Sequence, residues 1–309
     1  MRTIIVVGSL NMDMVFRIPG VPRRGETVMG DGFFMNPGGK GANQAVACAR
    51  QGADVRMVGS VGGDVFGETL IAGLAAARVD ATHVRRIEGQ STGTALIMVT
   101  GADNRIVVAA GANAMTASAQ IDAALTDAHP GDVYLTQMEI PYDAMKHGLL
   151  AAKAKGLFTI LNPAPAGDLD GELLSHVDLV VPNETEAETI TGLSASEPHF
   201  AALAIARLLA AGVGEAIVTL GAAGCAHGDH SGIRFAPSCP VDVVDTTAAG
   251  DTFVGAIAVA VASGMKVKDA LTRANAAAAI TISRRGAQCS IPDKDEIEAF
   301  MGRGTDGAR

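Results

Sequence analysis

The chain has 309 residues, enough for one large α/β domain or two smaller ones, and its 48% apolar content supplies a substantial core. An aromatic fraction of 4% with no Trp argues against stacking platforms for single-stranded nucleic acid, and a net charge of −9 argues against a phosphate-backbone binder, though not against a local nucleotide pocket. Cys48, Cys225, Cys239 and Cys289 have neither metal-ligand spacing nor a disulfide framework and read as reduced thiols. No apolar run is long enough to span a membrane, and Asn11 and Asp13 interrupt the first one before a leader forms. A cytoplasmic protein with no nucleic-acid or membrane partner is expected.

Residues 3–8 form a continuous β-rich run, the pattern of a strand buried on both faces. Residues 12–18 and 28–35 mix polar and apolar side chains and read as strands of a half-exposed sheet. The segment NPGGKGAN at 36–43 leads into a helix over 44–51, followed by a strand at 55–59 and a helix at 64–77. Residues 94–100 and 105–110 form a hairpin around Gly101, Ala102, Asp103 and Asn104, and 118–125 is helical. Strands at 133–136, 158–161 and 178–181 then alternate with helices at 143–155, 184–191 and 197–211. A strand at 216–220 ends in GAAG, and 225–227 with 233–236 form a small antiparallel pair. Helices close the chain at 251–263, 267–283 and 294–300, and the Gly-rich tail 302–309 is expected to be disordered.

This alternation predicts one α/β unit over about residues 1–300, with a mostly parallel central sheet and helices on both faces. The half-exposed strands do not fit that core. They are placed in a small β lid inserted from about 11–18, 28–36 and 94–110. Ligands of open α/β sheets sit beyond the carboxyl ends of the strands, and the polar and glycine clusters fall there. Those clusters are 8–13, 38–43, 59–64, Glu139, 162–165, 183–186, 221–224 and 245–251.

The segment VDVVDTTAAGDTFVGAIAVAVASG at 241–264 carries the chemistry. Small residues before a helix leave its first N–H groups open, and these with the dipole favour an anion. Asp251 is an acid beside that seat. It suits a base that takes a proton from whatever attacks a phosphate. A first-turn acid that only stabilises the dipole accounts for the same residue.

Three short patterns fail on context. The G-x-G-x-x-G at 302–307 has no helix after it, and the G-x-S-x-G at 89–93 leads into a strand. Gly39-Lys40 is not the end of a Walker loop, since Phe34 and Gly41 stand at its other required positions. His227 and His230, in a Gly-rich turn, read as solvated rather than metal-bound.

Nine segments together resemble the ribokinase family, within the wider group of ribokinase-like carbohydrate and nucleoside kinases. They are GSLNMDMV at 8–15, NPGGKGANQAVA at 36–47, GSVGGDVFG at 59–67, GANA at 111–114 and LNPAPA at 161–166. The others are PNETEAE at 182–188, VTLGAAG at 218–224, VDTTAAGDTFVGA at 244–256 and NAAAAITISRRGAQCSIP at 275–292. The resemblance implies a three-layer fold, a lid that closes over a sugar, and a homodimer joined through the lids. It implies transfer of the ATP γ-phosphoryl group to the 5-hydroxyl of D-ribose, with Mg²⁺ and an activating K⁺.

By the same resemblance Asp251 accepts the hydroxyl proton, and the N–H groups of Ala248, Ala249 and Gly250 hold the transferring phosphate. Asn11, Asp13, Gly39, Lys40, Asn43 and Glu139 bind sugar hydroxyls. Asn183, Thr219, Gly221, Gly224, Gly250 and Asn275 line the nucleotide site, and Glu186 with Asn183 organises Mg²⁺ through water. Asp245 and Thr247, with oxygens near Thr281, Arg284, Gly286 and Ser290, hold K⁺. Asn275 stands where some relatives carry His, and Cys289 replaces a common Pro.

The residue types suit these roles. A sugar is recognised by matching its hydroxyls with buried polar groups, and Asn11 and Asp13, two apart on a strand, project to one side. Gly38 and Gly39 allow a hinge. Asn183 and Glu186 also fit a helix capping box. A kinase of a related sugar or a nucleoside stays open, with Phe16, Phe33 and Phe34 as candidate base contacts. A sensor without catalysis would have lost Asp251 or the small residues before it.

Overall fold

The computed structural model describes residues 2–101 and 103–303. The first half runs β1 Ile4–Val7, β2 Asn11–Arg17, β3 Gly32–Gly38, α1 Lys40–Arg50, β4 Val55–Gly62, α2 Val65–Ala76, β5 Asp80–Ile87, β6 Gly93–Thr100, β7 Asp103–Ala109, α3 Ser118–Ala124 and β8 Val133–Thr136. The second half runs α4 Tyr142–Ala154, β9 Phe158–Leu161, the one-turn α5 Gly171–Leu174, β10 Leu179–Val180, α6 Glu184–Thr191, α7 Phe200–Ala210, β11 Glu215–Thr219, β12 Cys225–Asp229 and β13 Gly232–Ala236. It ends with α8 Ala249–Ala262, α9 Val267–Ile282 and α10 Lys294–Arg303.

The central sheet has the order β13-β12-β11-β10-β9-β8-β1-β4-β5. It is parallel from β11 to β5, and β12 and β13 add an antiparallel edge. All four residues of β1 are buried because both faces are covered. Ile4 and Val6 face the layer that holds α1, α8 and α9; Ile5 and Val7 face Ile121 of α3, Leu149 of α4 and Ile205 of α7.

Helix α8 is buried at every position from Asp251 to Ala262 and packs against both α1 and α9. Its sequence is apolar all round, as a helix enclosed on every side requires. Gly255 lets α1 approach closely: a Cβ there would come within 2.6 Å of Ala47 Cβ. That contact, one turn below Asp251, brings the first turn of α1 beside the first turn of α8.

The second sheet has the order β3-β2-β6-β7. Its register puts Val15, Phe34, Ile97 and Ile106 in one row and Met14, Met35, Leu96 and Val107 in the next, on the opposite face.

Several boundaries differ from the sequence reading. β3 begins at Gly32, not at 28, because its register with β2 ends at Arg17, just before Ile18 and Pro19. Met29 lies 84% exposed with nothing to pack on. α1 begins at Lys40, not at 44, because Gly39 takes φ 88° and turns the chain directly into the helix. The 225–236 pair joins the central sheet. β5 went unread because its mixed, mostly exposed pattern carries little apolar signal. α10 extends through Gly302 and Arg303; the rest of the predicted tail, 304–309, and Ala102 of the hairpin turn lie outside the described residues. Among the described residues no helix is long and apolar enough to cross a membrane.

Candidate active site

Parallel strands bring the loops after β1, β8, β9, β10 and β11 to one edge, where the N-terminus of α8 also lies. Ala248 caps α8 in the left-handed conformation at φ 61°. For a residue with a Cβ this costs about 1–2 kcal/mol, and it turns the backbone N–H groups toward the cavity. The N–H of Ala249 reaches the Thr246 carbonyl at 3.3 Å. Those of Ala248, Gly250 and Asp251 have no acceptor among the described residues. The expected three-residue seat is therefore open at Ala248 and Gly250 and engaged at Ala249.

Asp251 is buried at the first turn of α8. Its Oδ2 accepts from Asn43 Nδ2 at 2.9 Å and its Oδ1 from Gln44 Nε2 at 3.0 Å. It borders a cavity of about 220 Å³ lined also by Lys40, Asn183, Glu186, Thr219 and Gly250. Lys40, expected among the sugar ligands, lies on this side. Burial pulls its ammonium pKa down, but Asp251, Glu139, Glu186 and Asp13 outweigh that and hold it above the usual value.

A larger cavity, about 490 Å³, lies under the lid and takes in Asp13, Asn36, Ile97, Asp245 and Thr247. Asn11 and Asp13 share one face of β2, as their spacing requires. Asn113 Nδ2 donates to Asn11 Oδ1 at 2.7 Å and is itself held by the Leu10 backbone. Asn11 therefore keeps its own amide N–H₂ as the end free for a ligand. Asn43 is the converse: its N–H₂ is turned to Asp251, and its Oδ1 is buried without a partner. A ligand hydroxyl that donates to Asn43 and accepts from Asn11 would satisfy both.

Asp13 is pushed up to about 7, chiefly by burial and then by Glu139 and Asp251, with Lys40 opposing. Glu139 Oε2 accepts from Ser9 Oγ at 2.5 Å and from the Lys40 N–H at 3.3 Å. Glu139 thus anchors the start of α1 as well as bordering Asp13. Gly39 sits so close to β2 that a Cβ would fall 2.6 Å from Asn11 N.

Asn183 caps α6 in a complete capping box, its Oδ1 accepting from the Glu186 N–H and its N–H donating to Glu186, each at 2.9 Å. Burial pushes the Glu186 carboxyl upward, with the Asn183 N–H and Lys40 opposing. Thr219 bridges to Asn183 in the backbone. Gly221 and Gly224 shape the turn from β11 to β12, at φ 51° and 95°. Neither they nor Asn275 line the cavity that holds Asn183 and Glu186. Asn275 spends its N–H₂ on the Pro237 and Ala236 carbonyls at 2.8 and 3.3 Å, so it braces β13.

Asp245 ties two loops together. Its Oδ1 accepts from the Thr247 N–H at 3.0 Å and Oγ at 2.6 Å, and its Oδ2 accepts from the Gly286 N–H at 2.9 Å. Although burial opposes it, the bonds from Thr247 and Gly286 hold the carboxyl below its usual pKa. The other expected cation residues contribute no side chain here. Thr281 Oγ bonds Thr252 Oγ and the Ala277 carbonyl inside the helix pair, Arg284 pairs with Glu296, and Ser290 Oγ bonds the Ala287 carbonyl. The carbonyls of Thr247, Arg284, Gly286 and Ser290 take no donor among the described residues. Carbonyl and carboxylate oxygens are the donor type that hard cations take.

Sequence reading missed Ser9, Gln44, Asn113, Gln137 and Asn162. Ser9 and Asn162 fall in the polar clusters 8–13 and 162–165, and Gln44 and Asn113 in the segments NPGGKGANQAVA and GANA, signals that give no individual role; Gln137 falls in none. His227, read as solvated, is fully buried, with Nε2 2.7 Å from Glu215 Oε2. β12 lies inside the central sheet with α7 and α9 packed on it, which the Gly-rich local sequence does not show. All four cysteines are free.

The arrangement is a buried carboxylate beside open helix N–H groups, bordering one cavity, with a second cavity under the lid. Comparison with known proteins gives the same direction. The chain is 40% identical over 311 residues to the ribokinase of Schizosaccharomyces pombe, covering 96% of this chain and 97% of that protein. It is 37% identical over 301 residues to the ribokinase of Haemophilus influenzae, covering 97% and 98%. The structure of Arabidopsis thaliana ribokinase complexed with ribose and ATP matches with a TM-score of 0.88 at 31% identity, covering 97% of this chain and 98% of that one. The family model of the pfkB carbohydrate kinases matches residues 1–294, and the chain belongs to that family.

Proposed function

We propose that the chain transfers the γ-phosphoryl group of ATP to the 5-hydroxyl of D-ribose. The observation that carries this reading is Asp251, buried, held by Asn43 and Gln44, and next in sequence to the open N–H of Gly250. The hydroxyl gives its proton to Asp251, its oxygen bonds the γ-phosphorus, and the bond to the bridging oxygen of ADP breaks. The N–H groups of Ala248 and Gly250 take up the charge on the transferring group. Lys40 adds a positive charge on the same side. Asn11, Asp13, Gly39, Asn43 and Glu139 hold the sugar, and Asn183, Thr219 and Glu186 border the nucleotide.

Glu186, with Asn183, would hold Mg²⁺ through water; it lines the same cavity as Lys40 and Gly250. When bound, Mg²⁺ supplies charge neutralisation on the β and γ phosphates. Asp245 and the carbonyls of Thr247, Arg284, Gly286 and Ser290 would hold K⁺, with no side-chain part for Thr281. That site would steady the loop ending at Ala248. The β lid closes over the sugar about Gly38 and Gly39 and excludes water. Its outer row, Met14, Met35, Leu96 and Val107, joins two copies in a homodimer; three of these side chains are 38–58% exposed. The reaction belongs in the cytoplasm, where ATP is supplied.

The test is ADP release from Mg-ATP with D-ribose, 2-deoxyribose, D-fructose or adenosine, each with K⁺ or with a bulky organic cation. Preference for ribose with stimulation by K⁺ is expected. Preference for another acceptor would keep the phosphoryl-transfer site and overturn the sugar assignment. No turnover with any of them would overturn the kinase reading.

A further inference from the structure

We infer that Gln44 is a positioning residue for phosphoryl transfer: it fixes the orientation of the Asp251 carboxylate, and Gln137 and Asn162 fix Gln44 in turn. This rests on the reading of Asp251 as the base.

The polarities of Asn162 and Gln44 follow from their neighbours, and Gln137, whose Oε1 is buried without a partner, donates because Gln44 turns its oxygen to it. Asn162 Nδ2 donates to the Val181 carbonyl at 2.8 Å, so its Oδ1 faces Gln44. Gln137 Nε2 donates to Gln44 Oε1 at 2.6 Å, so the two hydrogens of Gln44 Nε2 point away from it. One goes to Asn162 Oδ1 at 2.9 Å and the other to Asp251 Oδ1 at 3.0 Å. Gln44 and Gln137 are both fully buried. Gln137 follows β8, Asn162 follows β9 and Val181 follows β10. The orientation of Asp251 is thereby referred to three adjacent strands of the rigid sheet, not only to its own helix.

Asn43 holds the other carboxylate oxygen. With one N–H on each oxygen, the carboxylate cannot rotate, and its remaining lone pairs present a fixed direction to an incoming hydroxyl. A buried amide chain is a poor device for stability alone, because an apolar side chain of the same size packs without polar groups to satisfy. A chain that ends on the base has a second use.

The test compares Gln44→Met, Gln137→Met and the double variant with the wild type, reading kcat, both KM values and the melting temperature. Gln44→Met is expected to lower kcat about 30- to 100-fold, the scale of a misplaced reacting group, with both KM values within about twofold. Gln137→Met, which leaves Gln44 Oε1 without its donor and loosens its seat, is expected to lower kcat about five- to tenfold and to have no further effect in the Gln44→Met background. A purely structural role predicts a lowered melting temperature with kcat within twofold, or equal Gln137→Met effects in both backgrounds; either overturns the proposal. If Gln44→Met does not fold, Gln137→Met decides alone: lost kcat at unchanged KM supports it, and unchanged kcat overturns it. A wild type inactive on every acceptor overturns the base reading itself, a result distinct from an active wild type insensitive to Gln44.

Discussion

Asn43 and Asp251 stand 208 positions apart in the chain, and the amide of the first donates to the carboxylate of the second over 2.9 Å. The same amide leaves its oxygen buried and unpartnered. One side chain thus holds the proposed base and offers an acceptor to the substrate whose proton that base takes.

Asp251→Asn is expected to lower kcat about 10²–10⁴-fold, the usual contribution of a general base. The fold should persist with a loss of about 1–3 kcal/mol, because the new amide turns an N–H₂ toward donors from Asn43 or Gln44. Steady-state ADP release and a thermal melt measure the two effects. A variant turning over near the wild-type rate would remove the base assignment.

Asp13 makes stability and sugar binding pH-dependent. Its carboxyl titrates at about 7 in the folded chain against the ordinary 3.8, so the native state holds the extra proton between those values. Stability therefore falls as pH rises from about 4 through about 7. Asp13→Asn should lose less stability than the wild type over that interval, as read by urea melts. A bound sugar hydroxyl donates to the carboxylate form, so sugar binding releases a proton and tightens as pH rises through about 7. Calorimetry in buffers of different ionisation heat should detect that proton in the wild type and not in Asp13→Asn.

Adjacent glycines should fail differently. A Cβ at Gly38 would land on the Asp13 carboxylate, a side-chain end that can move. Gly38→Ala is expected to fold and to raise the sugar KM about tenfold, with the KM for ATP unchanged. At Gly39 the obstruction is backbone and φ is 88°. Gly39→Ala should lower stability by about 1–3 kcal/mol, visible as a reduced denaturation midpoint.

Removal of K⁺ should slow the wild type, and Asp245→Ala should abolish the response. Asp245 joins the Thr247 and Gly286 loops, and without it the backbone turn leading to Ala248 loses its fixed geometry. A fall in kcat of at least about tenfold is expected, since one lost anion-hole donor costs on the order of 10²–10³. Equal rates with K⁺ and with a bulky organic cation would remove the cation site.

Leu96→Glu, in the centre of the outer lid row, should convert the proposed dimer to a monomer by placing charge in an apolar contact. Sedimentation velocity reads this directly, and a Leu96→Glu dimer would exclude this face.

The sequence by itself determined what local pattern can carry. The unbroken apolar run of β1 meant burial on both faces, and it is buried; the apolar helix read from Asp251 is buried as well. The alternation of strands and helices implied a parallel sheet, and with it an edge where the loops meet. The small residues before Asp251 marked an open helix start. Tertiary structure alone decided which long-range partners met there. Gln44 and Asn113 acquire their roles only when α1 packs on α8 and when the 111–114 segment reaches β2, contacts that no local pattern encodes. Asn275 and His227 went the other way: the carbonyls of Ala236 and Pro237 take up the Asn275 amide, and His227, buried within β12, bonds Glu215 of β11. The physical reason is range: periodicity reports which face of an element leaves water, whereas a hydrogen bond needs both partners placed within a few tenths of an ångström, which only the packed fold provides.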